Sequence, residues 1–88
     1  MKRIERDKSF KKHYNKRIAT SPKLVKQFDK RVSEFALGKR SRPLDDHPLC
    51  GDKLGFRAFS ITGDIRVVYK ETSGAIIFLD VGTHNQVY

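Results

Sequence analysis

Five polar side chains in this sequence are of the types that break a phosphodiester without a metal: His47, Asp64, Arg66, His84 and Tyr88. In RNA the 2′-OH is a built-in nucleophile. A base must take its proton, an acid must protonate the departing 5′ oxygen, and a fixed cation must hold the charge gathering on the phosphoryl oxygens. Histidine suits either proton transfer because its ordinary pKa lies near neutrality. Arginine suits the phosphate because its planar fork donates two hydrogen bonds. Asp64 opens the run DIRVVYK and Arg66 points opposite to Ile65 and Val67; His84 and Tyr88 fall in GTHNQVY, and His47 precedes Pro48. Plainer fates exist for most of them. Arg66 suits an ion pair with Asp64 or Glu71, His47 a turn cap, and Tyr88 a sheet edge. His84 has no apolar pattern that needs it. His13 lies among lysines and reads as surface, while Cys50 lacks an activating partner and reads as structural.

These groups need elements to hold them. Residues 2–6 predict a short edge strand. Phe10, Tyr14 and Ile18 recur every fourth residue, which predicts a helix over residues 8–19. In TSPK, Ser21 is a cap and Pro22 suits the first turn of a second helix. Along that helix Leu24, Val25, Phe28, Val32, Phe35 and Ala36 form an apolar stripe, which Gly38 ends. The short turn between them predicts antiparallel helices. Residues 39–54, rich in Pro, Asp and Gly, predict a long loop. GFRAFSI (55–61), DIRVVYK (64–70) and AIIFLDV (75–81) predict an antiparallel meander. In the last run Ile77, Leu79 and Val81 are expected to face the helices, and Ile76, Phe78 and Asp80 the other side. The fold class is therefore α+β, an N-terminal helical hairpin on one face of a small twisted antiparallel sheet, with the other face open and concave. Length bounds the whole to a single domain over residues 1–88.

Charge points to the partner. The net charge is +9, and it is lopsided: residues 1–42 hold 15 basic and 4 acidic residues, residues 43–88 hold 4 and 6. A surface of that kind fits a polyanion, since each neutralised phosphate releases counterions. Lys8, Lys11, Lys12, Lys16, Lys23, Lys26, Lys30 and Arg57 are the expected RNA contacts. The longest apolar run, AIIFL, is too short to span a membrane, and MKRIERDKSF lacks a signal peptide's apolar stretch. One cysteine excludes an internal disulfide and fits a reducing cytoplasm. Zinc-ligand spacing is absent.

The segments DDHPLCGDKLGFRAFSITGDIRVVYK and IIFLDVGTHNQVY, with weaker agreement in KSFKKHYNK and FALGK, resemble the YafQ branch of the RelE/ParE toxin superfamily. The resemblance implies the toxin of a bacterial type II toxin–antitoxin pair, an endoribonuclease that enters the ribosomal A site and cuts mRNA without metal or other cofactor. It places His47, Asp64 and His84 at catalytic positions, Arg66 at that of a strand arginine on the scissile phosphate, and Tyr88 at that of an active-site aromatic. The implied roles are proton transfer for His84, phosphate charge for Arg66, stacking or orientation for Tyr88, orientation or base for Asp64, and acid–base support for His47. Which residue is acid and which is base stays open. Expected partners are a protein antitoxin, whose disordered tail folds onto the basic surface, the ribosome and mRNA; the free toxin is expected to be monomeric and the pair a hetero-oligomer. Two positions depart from the pattern. Ser60 replaces a further active-site histidine, and Asp80 replaces a basic residue. The alternatives are a ParE-like gyrase inhibitor, whose relatives generally lack the C-terminal His and Tyr, and a weakened toxin that only binds its antitoxin or the ribosome.

Overall fold

The computed structural model describes residues 2–88. The elements run β1 (Arg3–Arg6), α1 (Lys8–Arg17), α2 (Pro22–Ala36), β2 (His47–Pro48), β3 (Arg57–Ser60), β4 (Ile65–Glu71), β5 (Ala75–Thr83) and α3 (His84–Val87). Local chemistry sets the helix ends. Asp7 caps α1 by accepting the Phe10 N–H at 2.9 Å, and Ser21 caps α2 by accepting the Leu24 N–H at 3.3 Å. At the other end Gly38 takes φ 93°, so that its N–H reaches the Phe35 carbonyl at 3.0 Å and the Lys39 N–H reaches Glu34 at 3.2 Å. That is the Schellman stop, and glycine adopts its left-handed step without a Cβ penalty. Helix α1 ends two residues earlier than its apolar repeat predicts, at Arg17, with Ile18 buried as the C-cap.

Aromatic rings make the core between helices and sheet. Phe28 meets Phe10 at 6.0 Å and Tyr14 at 4.9 Å, joining the two helices. Phe35 stacks on Phe59 at 4.3 Å and meets Tyr69 and Phe78 edge-on. Each such phenylalanine is fully buried, so truncation to alanine costs about 3–5 kcal/mol.

The five strands lie in the order β1-β5-β4-β3-β2. As predicted, β3, β4 and β5 form an antiparallel meander. β1 is the predicted edge strand and runs parallel to β5, Arg3 opposite Ala75. The predicted long loop contributes β2 and a single 3-10 turn, Gly51–Lys53. β2 sits on the opposite edge, where the N–H that Pro48 lacks is not missed.

Two expectations are corrected. In β5 the side facing the helices carries Ile76, Phe78 and Val81, not Ile77 and Leu79. The register explains this: Tyr69 pairs with Phe78 but Val68 pairs with Asp80, so Leu79 is an extra residue that resets the alternation. The opposite face is also not open throughout. Ala58, Val68 and Val87, with Leu49 and Phe56 beside them, form a second small cluster there, and α3 covers it.

Candidate active site

Arg66 leaves β4 on the face away from α1 and α2, because its neighbours Ile65 and Val67 pack into the main core. The register sets Arg66 beside Gly82 and Ile65 beside Thr83, so α3 starts next to the guanidinium. A capping box fixes that start: the Gln86 side chain accepts the Thr83 N–H at 2.8 Å. Val87 buries itself against Val68 and Ala58. One helical turn then brings His84 and Tyr88 together, with the Tyr88 N–H on the His84 carbonyl at 3.0 Å.

The three groups expected to meet do meet. His84 Nδ1 lies 3.1 Å from Arg66 Nη1. A guanidinium only donates, so Nδ1 accepts and the neutral ring carries its proton on Nε2. The His84 and Tyr88 rings meet edge-on at 4.6 Å, and Arg66 Cζ lies 5.9 Å from the Tyr88 centroid. Arg66 pairs with neither Asp64 nor Glu71. Glu71 instead accepts from Lys2 at 2.8 Å, a bond that holds its carboxyl below the usual range.

Tyr88 carries the cluster into a cleft of about 640 Å³ whose wall includes His47, Pro48, Cys50 and Lys53. His47 Nδ1 lies 2.8 Å from the Asp45 carbonyl. A carbonyl only accepts, so Nδ1–H donates, and in the neutral ring Nε2 keeps its lone pair. The two imidazoles thus differ: His47 offers an acceptor and His84 an N–H. Arg66 also lines a second cleft, of about 410 Å³, with Ser60 and Thr62.

Asp64 does not join the trio. It sits exposed in the β3–β4 turn, its N–H on Thr62 Oγ1 at 3.1 Å, and its carboxylate makes no hydrogen bond or ion pair with the described residues. Lys8, Lys11, Lys12 and Lys16 on α1 and Lys23, Lys26 and Lys30 on α2 are all exposed. Arg57, also expected to contact RNA, is paired with a carboxylate. Its Nε donates to Asp46 at 2.8 Å and its Nη2 lies 2.7 Å from the same oxygen, and the hydrogen bond raises its pKa. The Tyr69 phenol donates to the same carboxylate, and burial first, then Asp46, pushes its pKa up. Nothing in the doublet Asp45-Asp46 marks the second as buried, and sequence reasoning missed it. His13 was expected to be plain surface, yet its Nδ1 lies 2.6 Å from Asp80. Arg17 reaches Asp80 as well, at 3.4 Å, and the Val81 carbonyl at 2.9 Å. Asp80 therefore turns to α1 rather than standing free on the site's face. Among the described residues no group of three or more His, Cys, Asp or Glu is placed to hold a metal.

A helical hairpin packed on a small five-stranded sheet is the fold of the RelE/ParE class of small toxins. Residues 2–88 match the family described as bacterial toxin of type II toxin-antitoxin system, YafQ, and the chain belongs to that family. Solved structures agree on the fold. A mutant of E. coli YafQ superposes with a TM-score of 0.82 at 21% identity, covering 100% of this chain and 99% of that one. YafQ in the E. coli DinJ–YafQ complex gives 0.81 at 22%, covering 100% and 99%. A metal-bound toxin from Helicobacter pylori gives 0.81 at 25%, covering 100% of both chains. No curated protein matches the sequence.

Proposed function

We propose that this YafQ-family toxin is an endoribonuclease that cuts mRNA in the ribosomal A site by 2′-OH attack. The observation that carries the reading is the contact of Arg66, His84 and Tyr88 around one point on the face away from α1 and α2. His47 Nε2 takes the 2′-OH proton, the 2′ oxygen bonds to phosphorus, and the bond from phosphorus to the 5′ oxygen breaks. That oxygen leaves with the proton of His84 Nε2, giving a 2′,3′-cyclic phosphate and a 5′-OH end. Arg66 holds the non-bridging oxygens through the reaction, and Tyr88 stacks on a neighbouring base. Asp64 orients the substrate from the turn beside Arg66. The exposed lysines of α1 and α2 bind the ribosome's RNA. Each proton-transfer group contributes about 10²–10⁴-fold. Cytoplasmic translation is the setting, and the partner is a protein antitoxin covering the basic surface, as DinJ partners YafQ in the E. coli complex.

The test is to map 5′ ends of cellular mRNA after brief induction and to repeat the cuts on programmed ribosomes. In-frame cuts are expected from the wild type, and a loss of at least about 10²-fold from His84→Ala and from Arg66→Ala. Undiminished cleavage by both variants removes the mechanism. Double-strand breaks in DNA with intact mRNA would assign the chain to gyrase inhibition instead.

A further inference from the structure

The carboxylate of Asp46 has no solvent exposure, although its residue lies in the loop between α2 and β3. Two strands and the start of its own loop converge on it. Arg57 of β3 donates to Oδ1 through Nε and lies 2.7 Å from it through Nη2, the Tyr69 phenol of β4 donates to Oδ2, and Arg40 beyond α2 lies 3.5 Å from Oδ2. Arg40 is itself fixed, stacked 3.9 Å over the Phe35 ring and donating to the Phe35 carbonyl at 2.7 Å. A buried carboxylate is tolerated only when its partners replace the lost water, and here they do.

The next residue is His47. Its strand β2 is two residues long, and one of them, Pro48, has no N–H to give. So short a pairing holds itself weakly. Backbone bonds help it, Asp46 N–H to Arg40 and Leu49 N–H to Phe56, both at 2.9 Å; the Asp46 carboxylate is the side-chain anchor of the segment, and it acts one residue from the imidazole. The same anchor sets the Asp45 carbonyl that receives the His47 Nδ1 proton at 2.8 Å.

We propose that Asp46, through Arg57, Tyr69 and Arg40, is the positioning residue that fixes the place and the tautomer of His47 at the cleft. The inference rests on the reading of His47 as the base. It adds a residue that touches no substrate.

The experiment uses the full chain labelled with ¹³C-histidine, wild type, Asp46→Asn and Tyr69→Phe. The imidazole resonances are read alongside the rate of mRNA cleavage on programmed ribosomes. Asp46→Asn keeps the side-chain volume but removes the charge; Tyr69→Phe keeps the ring in the core and removes only the hydroxyl. In Asp46→Asn the His47 resonances are expected to move to those of a tautomer-averaged ring, while His13 and His84 stay put. The cleavage rate at saturating toxin falls about 10²-fold, with ribosome affinity within about twofold. Tyr69→Phe moves both readouts in the same direction by less, and it carries the test if Asp46→Asn does not fold. Unmoved His47 resonances in a folded variant overturn the proposal. A displaced His47 ring with undiminished cleavage leaves the anchor standing and overturns His47 as the base.

Discussion

Tyr88 is 40% exposed, yet its ring meets His84 on one side and the Arg66 guanidinium on another. Its role at the site divides into ring and hydroxyl. If the ring stacks on a base, Tyr88→Phe keeps cleavage within about threefold of wild type, whereas Tyr88→Ala loses about 10–100-fold, the worth of one base–aromatic stack. Steady-state cleavage of a short mRNA on programmed ribosomes checks both, and a large loss in Tyr88→Phe would move the role to the phenol. Arg66 was legible because it interrupts an apolar alternation, and His84 because nothing else explains it. Asp46 was not: a buried acid in a polar loop reads like any other loop residue. The His13–Asp80 bond was hidden by 67 positions of sequence separation. Pairing across that distance has no local signature.

Among the elements, α3 depends on a residue that has no side chain. A Cβ on Gly82 would lie 2.5 Å from Gln86 Oε1 and 2.8 Å from Arg17 Nη1. Both are ends of flexible chains, but the first caps α3 and the second holds the Val81 carbonyl. Gly82→Ala therefore loosens the cap and moves His84 off Arg66. The expected cost is about 1 kcal/mol, or about 4–8 °C in Tm, with a larger relative loss of cleavage than of stability. Calorimetry and the ribosome assay together check it. Helices α1 and α2 and the three strands of the meander were readable from periodicity. β2 and α3 were not, since two residues of strand show no alternation and four of helix make barely one turn, and one extra residue at Leu79 reversed the faces expected for the first part of β5.

For the whole molecule, charge is the property that the sequence displayed most plainly. Seven lysines stand exposed along α1 and α2. If five to seven of them meet phosphates, the logarithm of RNA affinity should fall against that of salt with a slope of about −3.5 to −5. Replacing Lys8, Lys11, Lys12 and Lys16 by alanine should flatten it by about 3. Fluorescence anisotropy over a salt series measures both, and an unchanged slope would take α1 out of the RNA contact.

The parallel pairing of β1 with β5 also orders events in time. The hairpins β3–β4 and β4–β5 close over short turns, whereas Arg3 must find Ala75 across nearly the full chain. Such distant closure is slow, so the first strand docks last and frays first. Until it does, one side of β5 is a bare template for another molecule's strand, and the charges of Arg3, Glu5 and Arg6 are what keep the finished rim from recruiting a stranger.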